Sequence, residues 1–164
     1  MKSVPEDELA AYPLGPALDF MRRIAELNHA LERVSSRMDR TLGVTAQQRL
    51  ILRCVGKYPG ITAGQLATIL HLDPGTISAS LRRLVERRLV DRRDDPRDKR
   101  RVVLGLTPEG RDLDRPTAGT VEDAVQRLLD TTDETDMARA ATVLTKLSHL
   151  LERSCEGTPM PEPR

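Results

Sequence analysis

The sequence predicts a mainly α-helical fold carrying one small β-hairpin, with long terminal helices flanking a compact middle. Three observations predict it. Apolar residues recur at steps of three and four through most of the chain, the period of helices with one buried face. Two of these helical segments, Thr62–Leu70 and Asp73–Arg88, are separated by only two residues. Two short β-like runs, "LVDRR" and "RRVVLGLT", then flank a charged stretch containing Pro96. Phe20, Tyr12 and Tyr58 are the only aromatic residues, so the core must be built from Leu, Val, Ile and Ala.

Residues 1–16, acidic and broken by proline, are expected to form a flexible tail. The first helix is expected over about 17–42, with Leu18, Met21, Ile24, Leu27, Leu31, Val34 and Met38 on one stripe and Gly43 as its stop. In "TAQQ", Thr45 and Gln48 have the spacing of a reciprocal capping box. That opens a second helix with Leu50, Ile51, Cys54 and Val55 on one face, ended by "GKYPG". Thr62 caps a third helix, and Asp73 with Pro74 starts a fourth, with Ile77, Leu81, Leu84 and Val85 turned inward. Two helices joined by so short a turn form a helix-turn-helix. Followed by a hairpin whose loop is too long for a tight turn, they make a winged helix-turn-helix, over about 45–107. Thr107, Pro108 and Glu109 open a further helix. Pro116 should kink or break it. It resumes through Val121, Val125, Leu128 and Leu129, and "TTDETD" caps a last helix with Met137, Leu144, Leu147, Leu150 and Leu151 facing one way. The helical segments about 17–42 and 108–152 carry more apolar stripe than the small middle can bury, which predicts a homodimer built from them. Residues 153–164 read as a disordered tail.

Net charge is only +1, but it is segregated. Residues 82–115 hold 12 basic and 8 acidic side chains, whereas residues 116–164 hold 5 and 9. A basic centre between acidic flanks suits a nucleic-acid-facing surface on a self-associating frame. No apolar run approaches the length of a membrane span, and no signal-peptide core is present, so a cytoplasmic protein with no membrane partner is expected. Two cysteines, Cys54 and Cys155, make no disulfide framework. No phosphate-binding glycine loop, nucleophile elbow or metal-ligand spacing occurs, so neither an enzyme, a cofactor nor a metal site is expected.

In "VTAQQRLILRCV", "PGITAGQLATIL", "LDPGTISASLRRLVERRLVDRR" and "DPRDKRRVVLGLTPEG" the sequence resembles the MarR family of bacterial transcriptional regulators, over most of residues 17–152. The most specific piece is Asp95-Pro96-Arg97-Asp98-Lys99-Arg100 followed by a strand ending in Leu-Thr. The resemblance implies a dimeric DNA-binding regulator, usually a repressor, acting on a pseudo-palindromic operator and released by a small anionic or phenolic effector.

A recognition helix enters the major groove with its N-terminal residues at the base edges. Here those are Pro74, Gly75, Thr76, Ser78 and Ala79, with Arg82 one turn on and Arg83 beside it. By the family's pattern Arg100 enters the minor groove, oriented by a carboxylate–guanidinium pair with Asp98. Arg97, Lys99 and Arg101 are placed at phosphates, and Asp94 and Asp95 at the turn. An effector pocket between lobe and dimer helices is expected near Ile24, Asn28, His29, Leu52 and Tyr58. Two other readings stand beside this one: a winged-helix module for protein contacts with no specific DNA target, and a redox-sensing regulator using Cys54 or Cys155.

Overall fold

The computed structural model describes residues 13–157 except Arg97 and Lys99. Seven helices and one hairpin follow in the order α1 (Pro16–Leu42), α2 (Ala46–Lys57), α3 (Ala63–Leu70), α4 (Pro74–Glu86), β1 (Val90–Asp94), β2 (Val102–Leu106), α5 (Pro108–Leu113), α6 (Val121–Thr131) and α7 (Glu134–Gly157). They group into two compact units, one ending at Val121 and the other beginning at Glu122.

Each helix of the first unit starts where its capping chemistry dictates. The Thr45 side chain accepts the Gln48 backbone N–H at 3.2 Å while the Gln48 side chain accepts the Thr45 N–H at 3.1 Å. Thr62 and Gln65 repeat this reciprocal pair at α3. Each box satisfies two backbone donors that a helix start leaves orphaned. Asp73 caps α4, with Pro74 at a first-turn position where a missing N–H costs nothing. Thr107 caps α5 by accepting the Gly110 N–H at 3.0 Å. Gly110 lies so close to the turn between α4 and β1 that a Cβ there would sit 1.9 Å from the Leu89 carbonyl oxygen, so no other residue fits without backbone movement.

The hydrophobic cluster at the centre of the first unit is aliphatic. Ile51, Leu52 and Val55 of α2 meet Leu66 of α3, Ile77, Leu81 and Leu84 of α4, and Val90, Leu104 and Leu106 of the hairpin. Burying each such side chain contributes about 1.5–3 kcal/mol. The two strands pair antiparallel from Val90↔Leu106 to Asp94↔Val102, leaving residues 95–101 as the loop. Strand β2 is also tied to the start of α3: Leu104 donates to the Ile61 carbonyl at 2.9 Å and accepts from Gly60 at 3.2 Å. The hairpin is therefore held against the helix pair along its base.

Two boundaries differ from expectation, and at Pro116 one of the two expected outcomes, a break, is found. Asp94 is a strand residue paired with Val102, not part of the turn. At Pro116 the chain breaks outright: α5 ends at Leu113 and α6 begins at Val121. Helix α7 runs through Gly157, past the expected boundary at residue 152 and into the segment expected to be disordered. Residues 1–12 and 158–164, which hold most of both expected tails, lie outside the described residues.

Candidate nucleic-acid interface

The N-terminal turn of α4 stands open. Pro74, Gly75, Ser78 and Ala79 are exposed, and Thr76 is half-buried. Their small side chains let the backbone come close to whatever lies against this turn. The helix is anchored from behind by fully buried Ile77, Leu81 and Leu84, so the outer face is presented on a rigid support. Thr76 has a structural duty: both its N–H and its hydroxyl donate to the Asp73 carboxylate. These bonds hold the Asp73 carboxyl below the usual carboxylate range. The hydroxyl oxygen of Thr76 can still accept, while Ser78 has both capacities available. Arg82 and Arg83 follow on the exposed side.

Between α4 and the hairpin runs a cleft lined by Ala63, Ser78, Arg92, Arg93, Asp94, Val102 and Leu104. Arg92 and Arg93 were not among the residues singled out from the sequence. Alternation along β1 is the signal that places Arg92: it is two residues from buried Val90 and pairs with buried Leu104. It thus shares their face of the hairpin, where that face emerges from the core. Arg93 is held by Asp91, whose Oδ2 accepts from its Nε at 2.9 Å.

At the wing tip the Asp95 N–H donates to the Arg101 carbonyl at 2.9 Å, closing the loop. Asp98 acts differently from the expected ion pair. Its Oδ1 accepts the backbone N–H of Arg100 at 3.0 Å, and its own carbonyl accepts from Arg101 at 2.9 Å. An aspartate bonding the backbone two residues on is a turn-forming device. Asp98 therefore shapes the backbone beneath Arg100 and leaves the exposed Arg100 guanidinium outward. Arg101 is exposed as well. Arg97 and Lys99 lie outside the described residues.

The residues expected to line an effector pocket are not brought together. Leu52 is fully buried in the core. Tyr58 borders a depression with Ile61, Gln65 and Ile69, its ring under the Lys57 ammonium at 5.7 Å. His29 borders a separate one with Glu32, Arg33 and Arg37. Ile24 and Asn28 line neither, and Asn28 donates to Glu32 at 3.0 Å. Cys54 packs against the core, and burial pushes its thiol above the ordinary value despite nearby Lys57. Cys155 is exposed on α7. Among the described residues no three His, Cys, Asp or Glu side chains are grouped to hold a metal ion, and no helix is long and apolar enough to cross a membrane.

Sequence reasoning also missed Arg49. It is fully buried on α2, and its guanidinium donates to the carbonyls of Leu113 and Arg115 at 2.7 and 2.8 Å. A charged side chain in the middle of a core is costly to desolvate and is tolerated only when its donors are satisfied.

Comparison with known proteins agrees with this architecture. The MarR family profile matches residues 42–101, from the end of α1 to the wing. The multiple antibiotic resistance protein MarR of Salmonella typhimurium is 32% identical over 102 residues, spanning 56% of this chain and 69% of that protein. The apo form of wild-type MarR from E. coli superposes with a TM-score of 0.55 at 28% identity, over 83% of this chain and 97% of that one. Streptococcus pneumoniae FabT, solved in complex with DNA, shares the fold at 23% identity, with a TM-score of 0.63 over 84% and 99% of the two chains. The chain belongs to the MarR family of winged helix-turn-helix transcriptional regulators.

Proposed function

We propose that the protein is a sequence-specific double-stranded DNA-binding regulator, not an enzyme, that acts as a homodimer on a pseudo-palindromic operator. The observation that carries this reading is a cleft in which Ser78 of the exposed first turn of α4 lies beside Arg92 and Arg93 of the hairpin, together with an exposed arginine in the wing loop. The α4 turn reads base edges in the major groove through Ser78, Ala79 and the backbone at Gly75, with Arg82 reaching a phosphate or a guanine. Arg100 enters the adjacent minor groove, where a narrow A·T-rich segment concentrates negative potential. Arg97, Lys99 and Arg101 meet phosphates.

Unburied apolar side chains support the dimer. On α1, Leu18, Met21, Leu27 and Leu31 are exposed, Met21 by 61%. In the second unit, Val125, Leu128, Leu129, Leu144, Leu150 and Leu151 are exposed too. Stripes of this size on helices mark an association surface. Family membership supports adding repression, and release by a small anionic or phenolic effector, to this reading.

The test is a titration of the purified chain against DNA flanking its own gene and against random duplex, at rising salt. Preferential binding of the flanking DNA, with log affinity falling linearly in log salt, is the expected result. A module that uses its winged helix for protein contacts would show almost no salt-dependent affinity for either DNA.

A further inference from the structure

The geometry points to Arg49 as a positioning residue for operator recognition, although it touches no DNA. Resting on the function proposed above, it fixes the segment that leads out of the DNA-binding lobe into α6 and so holds the half-site spacing the dimer reads. Pro116 lacks the N–H that would bond the Asp112 carbonyl, and α5 stops at Leu113, so the Leu113 carbonyl has no helical donor. Arg49 supplies replacements. One nitrogen, Nη1, reaches the Leu113 carbonyl at 2.7 Å, and Nη2 reaches both the Arg115 carbonyl at 2.8 Å and the Thr117 hydroxyl at 3.3 Å.

Two further arginines grip the same segment. Arg53, one turn along α2, pairs with Asp114 at 2.9 Å. Room for that carboxylate exists because position 56 is glycine: a Cβ there would sit 2.4 Å from Asp114 Oδ2. From α1, Arg37 donates to the carbonyl of Gly119. Thr120 is buried, and its hydroxyl donates to the Thr117 carbonyl at 2.8 Å. Residues 114–120 carry no helix or strand, yet Asp114, Arg115, Thr117 and Gly119 are each bonded to α1 or α2. A planar guanidinium with several fixed donors suits this task, because one side chain can fasten two carbonyls in one geometry.

Helix α6 begins at the residue after this clasp. In a dimer, two recognition helices must meet half-sites about 34–36 Å apart. Binding both at once raises affinity only while the geometry between them permits simultaneous engagement. A loosened clasp therefore costs affinity for the paired site and spares affinity for a single one.

The experiment compares the full-length wild type with Arg49→Met, Arg49→Lys and Arg37→Ala. Each is titrated on the operator, on the operator with one half-site scrambled, and on operators with one or two base pairs added at the centre. Arg49→Met, which keeps the volume without the donors, should lose about tenfold on the intact operator and keep single-site affinity within roughly twofold. It should also discriminate less against the lengthened spacers. Arg49→Lys should fall between, having the charge but not the fork. Equal losses on both DNAs, or no loss on either, overturn the proposal. If Arg49→Met fails to fold, Arg37→Ala decides, since its side chain is exposed and it should show the same split, smaller. A wild type without sequence-specific binding overturns the proposed function itself, and this inference with it.

Discussion

Asp98 bonds the backbone of Arg100. An acid in a basic wing suggests an ion pair with the arginine two residues on. What Asp98 does is accept that arginine's backbone N–H. The two arrangements respond differently to substitution. Asn keeps the side-chain oxygen and loses the charge, so Asp98→Asn should leave operator affinity within about twofold, whereas Asp98→Ala should weaken it several-fold more by loosening the turn. Equal damage from both would restore the ion pair. Cys54 makes a second residue-level prediction. Only the thiolate reacts with an alkylating agent, and burial raises the Cys54 thiol. In the native protein, iodoacetamide followed by mass spectrometry should modify exposed Cys155 first and Cys54 only after denaturation. Rapid native modification of Cys54 would revive the redox reading.

Helix α4 carries the proposed recognition surface, and its start depends on one carboxylate. Asp73 is capped to Thr76 and its carboxyl sits lower than in the unfolded chain. A carboxyl depressed by folding contributes stability above its unfolded value, near pH 3.9, and loses that contribution as pH falls through the lower folded value. Asp73→Asn keeps a capping oxygen without the titration, so thermal melts below about pH 4 should fall less steeply for the variant than for the wild type. Identical slopes would remove Asp73 from the acid response. The caps were also the most legible part of the sequence. Thr45, Thr62, Asp73 and Thr107 each announce a helix through bonds made within three residues, and all four caps are present. Pro116 likewise acts through its own missing N–H, and the break is there. Arg49 was illegible for the opposite reason. Its partners lie more than sixty positions away, at |i−j| of 64 and 66. In a periodic pattern an arginine reads as solvent-facing, and only the tertiary fold reveals the carbonyls that admit it to the core. The residues expected around an effector, Tyr58 and His29 among them, border separate depressions of the single chain, because position along a helix does not say which depressions share a wall.

At the scale of the molecule, the two units bury different things. The first has its own closed core. The second, α6 and α7, has an apolar stripe, and none of its described residues is buried. The homodimer proposed above would hide this stripe, since a two-fold interface sets the same patch of both copies face to face. Light scattering at micromolar concentration should give about twice the 18.3 kDa chain mass. A monomer would contradict the dimer, and with it the palindromic operator.

The central claim is that the first turn of α4 and the wing arginine together read one duplex sequence. The most direct measurement is the affinity of wild type and Arg100→Ala for the operator and for scrambled duplex, by fluorescence anisotropy at physiological salt. The wild type should prefer the operator by about a thousandfold or more. Arg100→Ala should melt at the wild-type temperature and lose much of that preference. Equal wild-type affinity for both DNAs, or an undiminished preference in Arg100→Ala, would contradict it.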